Sequence, residues 1–416
     1  MDQYIEFGLV YGLKFLTSQE HLQLVFRDSD RHTKAFNNNS GWLMSQLLGR
    51  CVGLVNGEEW KVVREGVAHP FLRKSAASQI PLIQKHVSRH FDNLLHQGNL
   101  ANGLLDPAED LKMLPFWVVA EILYGDLSPD MIQDLERLVP LREELFRHVI
   151  RGGMTRFGFS RYIPSRLNRL LRAFMVEWKS FNDKACARAR SFDPPAQIVH
   201  FHDQVAKGSI TSDNLLHTLD ESLFANLDVT IGGISWNVVF LAAHKEYQNR
   251  LKDELAAHSK DDTEYQMYIL KNSTLLAACV SESSRLRPLA AFSVPQSAPT
   301  PRVIDGYVIP AGTDFIIDTH KLNIQSKVWG ADGTVYRPER FLGGEALERR
   351  YSFWRFGFGP RQCLGKHLAD AIIRTLIAHL VQNYEMGIPD GLEWESNPNS
   401  WISHPEMRIQ CIRRGV

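Results

Sequence analysis

No uninterrupted run of about 18 or more apolar residues occurs in this chain, which reads against a membrane-spanning helix. The start, Met1-Asp2-Gln3-Tyr4, lacks the basic region and apolar core of a signal peptide. Cysteine is scarce: five residues, at 51, 186, 279, 363 and 411, lie far apart and form no CxxC pair. Neither a zinc site nor a disulfide framework is indicated, and a reducing compartment is the simpler reading. Charge of one sign does not prevail, because 47 basic residues face 47 acidic ones. That balance, with a pI near 7.3, argues against a broad nucleic-acid surface. Internal repeats and low-complexity tracts are absent as well. What remains is a 416-residue chain, 44% hydrophobic and 23% charged, long enough for one large domain or two ordinary ones.

Helical periodicity dominates. Residues 18–26, after an N-capping Thr17-Ser18, carry apolar side chains at helical spacing. Residues 58–67, 80–95, 109–123, 129–150 and 164–190 follow as helices. Residues 212–258 read as one long helix, apolar nearly all round between Leu223 and Ala243, as expected of a helix through the centre of a large protein. Residues 264–287 form another, ended by Pro288. Phe7 to Leu16 reads as a strand pair. Further strands cluster in residues 301–317, with turns at Asp305-Gly306 and Ala311-Gly312. The fold class is mainly α with a small β portion.

The most specific feature is Phe356-Gly357-Phe358-Gly359-Pro360-Arg361-Gln362-Cys363-Leu364-Gly365, followed at once by a helical run. A thiolate just ahead of a helix N-terminus is stabilised by the dipole and by unpaired backbone N–H groups. The glycines let backbone approach a flat ligand closely. Arg361 offers a fixed cation to an anionic group on that ligand. A lone anionic sulfur beside an arginine fits a haem iron ligand, with the arginine on a propionate.

This loop resembles the haem-thiolate loop of the cytochromes P-450, with every position of the pattern filled. The resemblance runs from about Thr17 to the C-terminus and implies the cytochrome P-450 fold in a single catalytic domain, 1–416. Cys363 would be the proximal iron ligand, with Phe356, Gly357, Arg361 and Gly365 around the haem. Gly57, Trp60 and Arg64 match an early helix whose Trp-x-x-x-Arg faces one propionate. Glu282 and Arg285, with Arg340 of Pro338-Glu339-Arg340-Phe341, match a buried charged triad behind the cysteine loop. The implied cofactor is haem b, with electrons from NADPH through a reductase. The implied partners are a small organic substrate, dioxygen and an NADPH-cytochrome reductase that docks on Lys61, Arg73, Lys74, Arg355 and Lys366. No nucleic acid is implied, and the chain would be a monomer. A microsomal, filamentous-fungal member would sit on the endoplasmic reticulum membrane facing the cytosol. This chain starts after the position of the family's anchor helix, so this form is expected to be cytosolic or peripheral.

Two departures from the family pattern stand out. The distal-helix motif falls on Ala225, Asn226, Leu227, Asp228, Val229 and Thr230. Its acid is present as Asp228, but Asn226 fills the glycine slot and Val229 the oxygen-handling threonine slot. The protons for oxygen activation would then pass through Asp228, Thr230, Asn226 or the substrate. Gln296 stands where the family often has a propionate-binding arginine, leaving Arg64, Arg361, His320 and Lys321 for that role. Walls of the substrate pocket are expected from the Ser40–Leu54 loop, residues 223–233 and Leu289–Val294. The expected activity is monooxygenation of a small, largely apolar or heterocyclic substrate, as in secondary metabolism. Val229 favours an alternative, a haem-thiolate catalyst of ring coupling, dehydrogenation or rearrangement. An alternative of another class is a haem-binding sensor or inactive paralogue.

Overall fold

The computed structural model describes residues 14–227, 229–258, 261–343, 351–392 and 404–415. Helices make up most of it, as the periodicity requires, and three small sheets complete it. A four-stranded sheet runs in the order Lys14–Leu16, Asp314–Ile317, Gln296–Ser297, Thr33–Lys34. Its first pair is parallel and the others antiparallel. The hairpin Arg302–Ile304 with Tyr307–Ile309 turns through Asp305 and Gly306, both at positive φ. The remaining sheet joins Leu104–Leu105, Ile409–Arg413 and Tyr384–Gly387. The expected strand pair across residues 7–16 appears in its described part as the single strand Lys14–Leu16. Residues 7–13 lie outside the described residues.

The expected helices are present at Gln19–Phe26, Gly57–Val67, Ile80–Gln97, Met113–Tyr124, Pro129–Arg151 and Arg166–Ala189. Two expectations need correction. The stretch 212–258 is not one helix: Ser212–Phe224, a 3-10 turn at Ala225–Leu227, Val229–Ala243 and Lys245–His258 succeed one another. Asn226 supplies the reason for the first break. Its Nδ2 donates to the carbonyls of Ser222 (2.7 Å) and Leu223 (3.2 Å), competing for acceptors that a continuous helix would give to backbone N–H groups. Likewise 264–287 divides into Asp262–Leu270 and Leu275–Leu286, because Thr274 caps a new N-terminus and Glu254 accepts from Leu275 N. The segment Ser40–Leu54, expected as a loop, contains the helix Trp42–Leu48. Short helices at Arg73–Ser78 and Gln197–Ala206 also went unread, since one or two turns leave little periodicity.

Within Val229–Ala243 every residue from Ile231 to Ala242 is buried, so this helix crosses the interior. The apolar stretch Ser212–Ala243 is long enough to span a membrane, but its most apolar window is 81% buried inside the fold. Upstream, Asp220 receives Arg142 Nε at 2.7 and 2.9 Å, tying Pro129–Arg151 to Ser212–Phe224. Burial raises the Asp220 carboxyl to about 6 even against that arginine.

The charged triad is assembled as expected. Arg285 Nε and Nη2 reach Glu282 at 2.7 and 2.8 Å, and both side chains are fully buried. Arg340 Nε lies 3.3 Å from the same carboxylate. Arg285 Nη1 also donates to the carbonyls of Asn323 (2.9 Å) and Gly333 (2.7 Å), with its guanidinium 4.7 Å from the Trp329 ring centre. Removing one member strands a buried charge, which costs about 3–5 kcal/mol. Arg285→Leu is therefore expected to melt far below the parent. Parent-like melting by calorimetry would show that the triad does not hold the fold.

Candidate haem and substrate site

The cysteine loop is held from three sides. Cys363 N donates to Phe356 O at 2.7 Å, closing the loop on itself. Gly357 and Gly359 take φ values of +82° and +67°, which only glycine adopts freely. A Cβ on Gly359 would lie 1.9 Å from Ser29 Oγ, so the loop can approach the Asp28–Arg31 segment only with glycine there. Behind it, Asn323 accepts from Trp354 N (2.8 Å) and donates to Trp354 O (2.9 Å). Asn323 O is also a triad acceptor, so the triad reaches the loop through one residue. Trp354 packs edge-on against Phe358 at 5.0 Å. The helix Lys366–Asn383 starts three residues after the cysteine, with Gly365 as its N-cap.

The helix Gly57–Val67 meets this loop. Arg64 Nη1 donates to Gln362 O at 3.2 Å. Arg361 donates to Val55 O (3.0 Å) and to Asn56 Oδ1 (3.2 Å). Both guanidiniums lie against the Trp60 ring, at 5.8 and 4.7 Å from its centre. Trp60, Arg64 and Arg361 thus form one cluster beside Cys363, which the resemblance implied and helical spacing alone did not.

Cys363 is exposed, whereas the other four cysteines are buried. Yet desolvation is the largest influence on its thiol and raises it above the ordinary range, against the Gly365 N–H and the charges of Arg64 and Arg355. Accessible surface beside dense surrounding protein is what a side chain on the wall of a recess shows. Arg361 and Glu221 show the same combination: both are partly accessible, and burial is the leading influence on each. Burial and nearby Arg64 bring the Arg361 guanidinium down to about 10. Val229 is 38% exposed although it opens a helix that crosses the interior. Phe292, in the Leu289–Val294 segment, is 51% exposed. These residues fit a large flat group with a soft-donor ligand on one side and carboxylates at one edge. A haem satisfies that donor set.

Other expected residues are placed as follows. Phe356 lies under the Arg355 guanidinium at 4.4 Å. Thr230 Oγ1 donates to Asn226 Oδ1 at 2.8 Å, and Asn226 holds the Ser222 and Leu223 carbonyls, so these two candidates are bonded to each other. Asp228 lies outside the described residues. His320 and Lys321 are exposed and are not tied to the arginine cluster. Arg355 is not a surface cation: it pairs with Asp370 at 2.8 Å and is only 11% exposed. Sequence reasoning missed Glu221, whose Oε2 accepts from Gly53 N at 3.1 Å. His217 Nδ1 and Thr218 Oγ1 accept from Arg50 N and Val52 N in the same way, so the helix Ser212–Phe224 stitches down the 50–53 segment that walls the site. The signal available was four polar residues, 214, 217, 218 and 221, at helical spacing on one face of the helix.

On the cysteine side, Arg73 and Lys74 join Lys271 in lining a cleft of about 980 Å³ with Met267, Leu270 and Phe341. His367, at the start of the Lys366–Asn383 helix, feels the charges of both Lys366 and Arg73, which places those cations together.

Comparison with known proteins agrees with this geometry. The Cytochrome P450 family model matches residues 10–412. Cytochrome P450 monooxygenase aclC of Aspergillus oryzae is 50% identical over 421 residues, covering 98% of this chain and 86% of its own length. Cytochrome P450 monooxygenase asaD of Aspergillus flavus is 49% identical over 399 residues, covering 96% and 77%. Cytochrome P450 monooxygenase gliC of Aspergillus fumigatus is 41% identical over 412 residues, covering 96% and 80%. With a helical fold, a glycine-framed cysteine and a cation cluster all matching that pattern, the chain belongs to the cytochrome P450 family.

Proposed function

We propose that this chain, as a single catalytic domain, is a haem-thiolate monooxygenase that oxidises a small, largely apolar or heterocyclic organic molecule in secondary metabolism. The observation that carries the reading is Cys363, accessible yet desolvated, beside the Trp60–Arg64–Arg361 cluster. When bound, haem b would use dioxygen, two electrons and two protons to place one oxygen atom on the substrate and release the other as water. Cys363 would ligate the iron, and Arg64 and Arg361 would hold the carboxylates. Val229, Phe292 and the 50–53 segment would position the substrate and exclude water. Asp228 would bring protons to the distal side, with Thr230 and Asn226 holding the broken turn beside it.

The experiment is a substitution at the ligand. Cys363→Ser should lose the strongly red-shifted Soret band of the reduced carbon monoxide complex, while substitution of the four buried cysteines should keep it. A retained band in Cys363→Ser would sink the ligand assignment.

Val229 supports a second reading, coupling, dehydrogenation or rearrangement without oxygen insertion. A valine cannot hydrogen-bond to a distal oxygen or water, so proton delivery here has no hydroxyl in its usual slot. Val229→Thr should improve coupling of NADPH oxidation to product if the natural reaction is hydroxylation, and should divert product toward a hydroxylated form if it is not. Product analysis and NADPH stoichiometry separate the two. Unchanged products and coupling would place residue 229 away from the reaction.

Electrons would come from an NADPH-dependent reductase with an acidic face, docking on the cleft of Arg73, Lys74 and Lys271 with nearby Lys366. Charge reversal at Lys74 and Lys271 should slow flavin-to-haem reduction severalfold at low salt and less at high salt. Equal slowing at every ionic strength, measured by stopped flow, would count against this surface. We also propose contact with the endoplasmic reticulum membrane. Met154, Phe157, Phe159 and Tyr162 are all at least half exposed and lie between Arg151 and Arg166, a pairing of apolar and cationic groups suited to a bilayer interface.

A further inference from the structure

The turn Ser29–Arg31 and the helix before it bear on the cysteine loop at two points. Ser29 stands against Gly359, so close that no Cβ fits between them. Phe26 packs edge-on against Trp354 and Phe358, at 5.7 and 5.9 Å. The next ring in that stack is His32, 5.3 Å from Phe26. Its side chain has no exposed surface, and neither ring nitrogen has a hydrogen-bond partner among the described residues. A phenyl ring or an aliphatic chain would fill such a place without leaving two buried nitrogens unpaired, so packing alone does not account for a histidine here.

Asp28 Oδ1 lies 3.6 Å from His32 Nε2, beyond hydrogen-bond reach. That oxygen already accepts from Arg302 Nη2, and Asp28 Oδ2 lies 3.6 Å from Arg31 Nη2. Arg302, on the hairpin strand Arg302–Ile304, is 2% exposed and also donates to the carbonyls of Thr300 (3.0 Å) and Val25 (3.4 Å). Arg27 and Arg31 add their charges to that of Arg302. The helix Gln19–Phe26 contributes His21, paired with Asp305 of the hairpin turn at 2.9 Å. From the cysteine loop come the rings of Trp354 and Phe358. One carboxylate thus serves two arginines, and a charged His32 would be a third claimant. Burial is the largest influence on the imidazole and holds it below its ordinary value of 6.5, with Asp28 acting against burial and Arg302 with it. The neutral ring is the form that the fold accommodates.

We propose that His32 is an acid-sensitive support of the cysteine loop. Neutral, it completes the ring stack behind Trp354 and Phe358. Protonated, it draws Asp28 away from Arg302 and shifts Ser29 and Phe26, on which the loop rests. An unfolded or loosened chain takes up this proton near pH 6.5, and the native chain only at lower pH. The stability that neutral His32 contributes is therefore complete above about pH 6.5 and is lost as the pH falls below it. The seating of the loop does not depend on what Cys363 binds, whereas its spectral consequence rests on the haem-thiolate reading.

Two measurements on the purified protein between about pH 8 and 5 test this: the red-shifted Soret band of the reduced carbon monoxide complex, and urea unfolding of the same samples. In the parent the band should fade reversibly as the pH drops below about 6.5. His32→Phe and His32→Leu cannot take the proton, and half-loss of their band should come about one pH unit lower, a tenfold change in proton activity. Urea unfolding should show the same difference, with the parent losing stability faster than either variant between about pH 6.5 and 5.5. Half-loss at the same pH in parent and variants, with equal dependence of unfolding on pH, overturns the proposal. So does a variant weaker than the parent by the same amount at every pH, which would mark His32 as packing only. If the parent shows no red-shifted band at any pH, the haem-thiolate reading fails, and the unfolding profiles alone decide the role of His32.

Discussion

Glu282 and Arg285 meet with neither side chain exposed, and most of what surrounds the cysteine is hung from that pair. Full dehydration of two ions is costly, and Coulomb attraction offsets it only when every remaining donor and acceptor is used. Here Glu282 takes Arg285, Arg340 and the Arg337 N–H, while Arg285 spends its remaining donors on the carbonyls of Asn323 and Gly333. The result is a fixed platform rather than a large gain in stability. Asn323 then presents its side chain to the Trp354 backbone, and Trp354 and Phe358 fix the first half of the cysteine loop. If Cys363 is the iron ligand we propose, it would have to meet its metal at a set distance and angle, and this chain of contacts would hold it there.

The same loop is charged on its other flank for a different reason. Arg64 and Arg361 press against Trp60, and they donate to the carbonyls of Gln362 and Val55 respectively. Two guanidiniums that close repel each other, and Arg361 is depressed by burial first and by Arg64 second. Such a cluster is stable because the ring and the carbonyls hold it, and it is purposeful only if a dianionic edge arrives between the cations. In the proposed haem site the cluster would be the anchor for that edge.

Much of this was legible in the sequence, for identifiable reasons. The cysteine loop is contiguous and glycine-framed, so its geometry is written locally. Glu282 with Arg285, and Trp60 with Arg64, are one helical turn apart, and helical spacing alone puts each pair on one face. Long amphipathic helices were read almost to their ends. What escaped depended on side chains acting on distant backbone. Asn226 breaks a helix by hydrogen-bonding its own upstream carbonyls, and Glu254 helps start a helix twenty-one residues on. Arg355 reads as a surface cation but is claimed by Asp370 after the helix turns it inward. Glu221 has no local signature, since it acts through the distant Gly53 N–H.

The broken distal helix shows how far fold and chemistry are separable in this chain. Asn226 in the glycine slot does locally what water or substrate does elsewhere: it satisfies backbone carbonyls freed by the turn, and Thr230 completes it by donating to its amide oxygen. The interruption is therefore internally hydrogen-bonded before any ligand binds. A hydroxyl at residue 229 would compete for these same groups, whereas valine leaves them undisturbed and presents a dry surface. The two departures from the family pattern, Asn226 and Val229, thus meet at one turn, closed by its own side chains and followed by an exposed apolar residue. Were this turn to border the proposed haem site, protons would have to come from a neighbouring acid or from the bound molecule, and the substrate would enter the chemistry as well as the fit.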